Sequence, residues 1–179
     1  MKTRGIVLCG LFAALTAVGA QITINLGTVP FTLQVLFVLL SGLMLGPKYG
    51  FMSQVAYLLL GALGLPVFAG FSGGLVHIYG PTGGYLVAFP LAAFVAGWMS
   101  RKRESNFINL MTVSMLAVGV IYLLGWLRLG IYMQGNFVKA FMAGVTPFVV
   151  FDLMKAFVAS LAALRLRRFI MMLAESEGE

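Results

Sequence analysis

Asp152 and Lys155 are the residues of this chain best placed to do chemistry. They sit inside an apolar stretch, 147–164, that holds no other charge. A charged side chain at the centre of a bilayer costs about 2.5 to 3.5 kcal/mol on insertion scales. Only 9% of the residues are charged, so two of them here call for an explanation. Three residues apart on a helix, they share a face. That face is expected to look into a cavity, and the cavity is the place to seek function. The plain alternative is a helix–helix salt bridge that holds no ligand.

The elements that must position this pair are membrane spans. The chain is 61% hydrophobic with a mean hydropathy of +1.02, against about 45–50% apolar residues in a soluble domain. Its longest charge-free runs are 5–47 and 49–100, each too long for one span of about 20 residues and long enough for two. Punctuation by Gly, Pro and charge predicts an all-α integral membrane protein, a single domain of six transmembrane helices over about 5–24, 31–46, 50–65, 84–100, 107–133 and 146–165. Lys2 and Arg4 ahead of an apolar run could mark a signal peptide. No small-residue cleavage site with polar sequence after it follows, so 5–24 reads as a retained helix.

Basic residues set the orientation. One side of the six-span arrangement collects Lys2, Arg4, Lys48, Arg101, Lys102, Arg103, Arg165, Arg167 and Arg168, and the other has Arg128 and Lys139. Both termini are therefore expected in the cytoplasm, with the chain as a multi-pass protein of the cell membrane. The net charge of +7 follows from these topology signals, not from an affinity for nucleic acid. Arg128, near the outer end of span five, reads as a snorkelling side chain. A single cysteine, Cys9, excludes an internal disulfide. No His, Cys, Asp or Glu cluster has metal-ligand spacing, and no cofactor is implied. No Gly-x-x-x-x-Gly-Lys-Ser/Thr loop is present, so any ATP-driven step needs a partner.

Three further patterns carry possible function. The segment 70–84 has six glycines in fifteen residues, which permit positive φ and close backbone approach. Together with 25–31 it could cover a pocket. Within it, Gly70-Phe-Ser72-Gly73 has the Gly-x-Ser-Gly form of rhomboid proteases, an alternative in which Ser72 would need a base. The sole histidine, His77, lies five residues on in the same loop. In the first span, small residues recur four apart: Gly10 with Ala14, Ala13 with Ala17, Thr16 with Ala20. Such a stripe lets a second helix approach closely, from this chain or from another subunit.

At Val29-Pro-Phe-Thr-Leu-Gln34, Gly61-Ala-Leu-Gly-Leu-Pro-Val-Phe-Ala-Gly70, Gly80-Pro-Thr-Gly-Gly-Tyr85 and Asp152-x-x-Lys155, the chain resembles the BioY family. These are the biotin-binding S-components of energy-coupling factor (ECF) vitamin transporters. The motifs run in order over nearly the whole chain, with bulkier residues than expected at His77-Ile-Tyr79. The resemblance implies an outward-facing pocket for biotin, a transmembrane coupling subunit, and two cytoplasmic ATPase subunits. It also implies that Ala13 and Ala17 form the docking surface for the coupling subunit, and that another vitamin is the alternative ligand. The chemistry agrees. A ureido ring has two N–H donors and one carbonyl; Asp152 offers acceptors and Lys155 donors. Gln34 and Thr82, within those motifs, join the expected contacts. Phe31, Phe71 and Tyr85 suit the thiophane ring and valerate chain.

Overall fold

The computed structural model describes residues 2–25, 28–102 and 106–176, with the side chains of residues 2, 25, 102 and 167–176 left aside. Parts of the expected cover (26–27), of the basic turn (103–105) and of the polar tail (177–179) lie outside the described residues. In chain order the elements are α1 (Lys2–Gln21), β1 (Thr23–Asn25), β2 (Pro30–Thr32), α2 (Gln34–Ala62), α3 (Leu75–Tyr79), α4 (Gly83–Lys102), α5 (Phe107–Tyr132), α6 (Phe137–Gly144) and α7 (Val149–Ser176). Helices α1, α2, α4 and α5 are each long and apolar enough to cross a membrane. The pair α6 and α7, bent by 50° at the break between them, is a fifth candidate.

Helix α2 is not one straight rod. Gly46 sits at φ 79°, ψ −176°, outside helical geometry, and Pro47 follows. Proline lacks the N–H that would continue a helical ladder, and its ring crowds the preceding turn. The two arms then lie side by side. Gln54 Nε2 donates to Ser41 Oγ at 3.2 Å, and Gln34 Nε2 donates to Tyr57 OH at 2.5 Å. Thirteen residues apart on a straight helix, Ser41 and Gln54 would be separated by about 20 Å at 1.5 Å per residue. The chain therefore reverses at Gly46-Pro47.

Small residues let α4 press against this hairpin. A Cβ on Gly42 would run into the carbonyl of Ala93, and one on Gly97 into the backbone of Gly46 and Pro47. With lipid on the outside there is no hydrophobic drive between helices, so close packing must supply the association. At this end Arg101 donates to the carbonyl of Leu45 at 3.5 Å, and the Tyr49 ring covers Gly5. Arg4, Lys48 and Arg101 thus share one end of the bundle.

The opposite end is less regular than the spacing predicts. The first helix stops at Gln21, and β1 pairs antiparallel with β2, Ile24 opposite Phe31. Apart from this three-residue pairing, the named elements are helices. Pro30, with no N–H to give, opens β2. The loop expected over 67–83 contains α3 and a bridge from Phe68 to Ser72. An unpredicted helix, α6, precedes the last long helix, which begins at Val149 and passes the expected end at 165.

Candidate functional site

The breaks at this end leave backbone groups without helical partners, and they border a cavity of about 680 Å³. Irregular backbone at membrane depth is tolerated where it lines such a space. The turns between α6 and α7 illustrate how. The freed carbonyl of Gly144 accepts from Tyr85 OH at 2.8 Å. The Tyr85 ring lies on Gly125, where a Cβ would collide with it. Tyr85, only 9% exposed, therefore joins α4, α5 and the α6–α7 break at the cavity wall.

Asp152 stands in the first turn of α7, where the positive end of the helix dipole favours a carboxylate. It is 4% exposed and Lys155 is 6% exposed. Lys155 Nζ meets Asp152 Oδ1 at 2.6 Å, so the pair neutralises itself along one helix face. The second oxygen, Oδ2, accepts from Tyr122 OH of α5 at 2.6 Å. Lys155 Nζ also lies 4.0 Å from the centroid of the Phe31 ring, a cation–π distance. Asp152, Lys155 and Tyr122 all line the cavity. Each charge keeps unused hydrogen-bonding capacity: the ammonium has further donors and the carboxylate further lone pairs. The remaining wall is mainly apolar, with Phe68, Phe89, Ile121 and Phe148 among its members.

Of the residues singled out from sequence, Asp152, Lys155, Tyr85, Gln34 and Thr82 all border this space. Gln34 is held by Thr32 Oγ1, which donates to its Oε1 at 2.8 Å, and by its own bond to Tyr57 OH. Phe31 stands behind Lys155, edge-on to Phe151 at 4.9 Å. Phe71 is a correction: it is 72% exposed and lies off the cavity wall, in a turn where its backbone takes a positive φ of 55°. Ala13 is a second. It is 3% exposed, inside the bundle with Thr16 and Ala20, and Ala17 is half-buried. The free face of α1 carries Val7, Gly10, Leu11, Ala14 and Val18.

Ser72 and His77 both border the cavity but do not pair. Ser72 Oγ donates to the carbonyl of Ala69 at 2.8 Å, and the His77 ring packs edge-on against Phe68 at 6.0 Å. A serine nucleophile needs a base at hydrogen-bond distance, so the hydrolase alternative falls. Among the described residues no three of His, Cys, Asp or Glu gather as metal ligands would. Tyr122 was missed from sequence. Its signal was a phenol deep in an apolar helix, which when buried needs a partner.

Comparison with known proteins bears on the family and the fold. The family model described as the BioY family matches residues 1–171. A protein of Pyrococcus horikoshii named as a probable biotin transporter BioY is 53% identical over 167 residues, covering 93% of this chain and 98% of its own. The biotin transporter BioY of Thermotoga maritima is 50% identical over 165 residues, 92% of this chain and 96% of its own. Among solved structures, the 2.1 Å crystal structure of the S-component for biotin from an ECF-type ABC transporter matches with a TM-score of 0.87. The identity there is 27%, over 93% of this chain and 92% of that one.

Proposed function

The chain belongs to the BioY family, and from that premise we propose that it is the biotin-binding S-component of an ECF-type uptake transporter. It is a transport subunit and not an enzyme. The observation that carries the reading is the buried Asp152–Lys155 pair, facing a largely apolar cavity with Tyr122 bonded to the carboxylate. The ureido N–H groups meet Asp152 and its carbonyl meets Lys155. The apolar wall takes the thiophane ring and valerate chain. Gln34, Thr82 and Tyr85 complete the polar contacts, and Phe31 backs the ammonium. A site that pairs each polar atom of its ligand discriminates strongly, because an analogue leaves a buried group unpaired.

Six spans are supported by the reversal at Gly46-Pro47, which makes two arms of α2, together with α1, α4, α5 and α7. The charges support the orientation. Arg4, Lys48 and Arg101 share the end opposite the cavity, so by the positive-inside rule that end and the N-terminus are cytoplasmic. The last span then returns the C-terminus to the same side, and the cavity opens outward from the cell membrane. A transmembrane coupling subunit docks on the free face of α1, at Gly10, Ala14 and the half-buried Ala17. Two cytoplasmic ATPase subunits supply the energy. Mass spectrometry of the small molecule that copurifies in detergent tests the ligand. Biotin at up to one per chain is the expected result, and a different vitamin would replace this reading.

A further inference from the structure

Between α2 and α4 the chain crosses the cavity as a short irregular segment, residues 68–80, of which Phe68, Ser72, Val76, His77 and Tyr79 face the space. Side chains from two distant helices hold its two ends. At the start, Gln21 closes α1 and reaches the segment with both amide atoms, while its Nε2 also donates to the Ala17 carbonyl of its own helix at 3.2 Å. Its Nε2 donates to the carbonyl of Phe68 at 3.2 Å, and its Oε1 accepts from Phe71 N at 2.8 Å. Donor and acceptor together imitate a neighbouring strand. At the far end, Arg128 of α5 donates through Nε to the carbonyl of Gly80 at 3.4 Å and through Nη2 to the carbonyl of Tyr79. These carbonyls end α3, where a cation is favoured; that of Gly80 also accepts from Gly83 N at 3.3 Å.

Arg128 carries a guanidinium, yet among the described residues no carboxylate is paired with it. The ion pair among the described residues is that of Asp152 with Lys155. Snorkelling alone would send the guanidinium to water; instead it turns onto the segment. Its stem is fixed as well, because Arg128 Cβ packs where a Cβ on Gly84 would stand. Inside the two clamps, Gly70 and Gly74 take φ of 69° and 96°, which are open to glycine at little cost. Gly74 N donates to the Gly61 carbonyl of α2 at 2.7 Å, so the segment is tied at its middle as well as held by side chains at both ends. Neither Gln21 nor Arg128 borders the cavity.

We propose that Gln21 and Arg128 are positioning residues: they clamp segment 68–80 over the cavity and so set how slowly the bound ligand leaves. The proposal rests on the cavity being the biotin site. Clamps of this kind act on departure more than on arrival, since most affinity differences among variants of one site lie in the off-rate. Full-length protein in detergent, loaded with radiolabelled biotin and chased with excess unlabelled biotin, reads that rate. Arg128→Gln and Gln21→Leu are expected to speed release at least fivefold with association within twofold of wild type. Arg128→Lys is expected to recover part of the retention, because an ammonium still reaches a carbonyl. Hydrogen exchange is expected to rise at 75–80 in Arg128→Gln and at 68–72 in Gln21→Leu, with the long helices unchanged. Unchanged release in both variants, or protection lost across α4 and α5 together, would overturn the proposal. If the wild type binds no biotin, the functional reading fails separately, and local exchange at 75–80 still decides whether the Arg128 clamp exists.

Discussion

Two of the buried polar groups in this bundle make a contrast: one is locked between helices and the other, charged, faces the cavity. The first lies between α1 and the two arms of α2. Gln54 Nε2 reaches Thr16 Oγ1 at 3.2 Å, Ser41 Oγ at 3.2 Å and Ser53 Oγ at 3.3 Å, and all four residues are wholly buried. Each hydroxyl also donates to a carbonyl of its own helix, which leaves Gln54 Oε1 without a partner. The second group is Asp152, Lys155 and Tyr122. It is charged, its members are mutually bonded, and it borders the cavity. Polarity at membrane depth is therefore not by itself the mark of a site. Uncharged groups locked between helices act as packing adhesive. Charge beside a cavity, with bonding capacity to spare, is the feature on which the proposed ligand site rests.

The largest test of this contrast removes half of the charged pair. Asp152→Ala leaves Lys155 buried without its partner, a change that costs about 3 to 5 kcal/mol. A large drop in thermal unfolding temperature is expected. The double variant Asp152→Leu with Lys155→Met is expected to recover the melting temperature, since apolar replacement of a buried pair is often neutral or stabilising. It is also expected to give no biotin-induced shift. Recovery of both stability and binding would show that the pair serves the fold alone.

Tyr122→Phe is a finer cut. A hydrogen bond to a charged group is worth about 1.5 to 3 kcal/mol. Here the phenol orients the carboxylate and does not hold the ligand alone, so the low end applies: about a tenfold loss of biotin affinity at 1.4 kcal/mol per decade. Tyr85→Phe breaks a neutral bond to the Gly144 carbonyl, worth about 0.5 to 1.5 kcal/mol, and a loss of about two- to tenfold is expected by the same titration. Gln54→Leu is expected to do least. Interhelical hydrogen bonds in membranes average about 0.6 kcal/mol, and the substitution also removes the orphaned amide oxygen. Melting should move little and affinity should stay within about twofold of wild type.

Much of the site was legible in the sequence, because charge in an apolar run is conspicuous. Asp152 and Lys155 could be placed on one face by spacing alone, and Gly46-Pro47 announced a break that the structure turns into a reversal. Helical phase was not legible. Gly10 with Ala14 and Ala13 with Ala17 are equally spaced, and in lipid both the packed and the exposed face of α1 are apolar. Hydropathy therefore could not tell that Ala13 is inside and Ala14 outside. Phe71 was misplaced because it sits in a positive-φ turn whose N–H bonds Gln21 of another helix, a contact that local sequence does not announce. Arg128 read as an interfacial charge, since its partners are backbone carbonyls that no side-chain pattern advertises. The short helices α3 and α6 fall below the length at which a repeating pattern can be read.

The central claim is that the charged group, and not the neutral one, recognises the ligand. Isothermal titration of biotin into purified wild type, Asp152→Asn and Gln54→Leu, in one detergent and buffer, tests it most directly. Asp152→Asn keeps the side-chain shape and removes the charge. The account predicts saturation of the wild type at up to one biotin per chain, at least tenfold weaker binding by Asp152→Asn, and near-wild-type binding by Gln54→Leu. Equal affinity in wild type and Asp152→Asn, or a loss confined to Gln54→Leu, would contradict it.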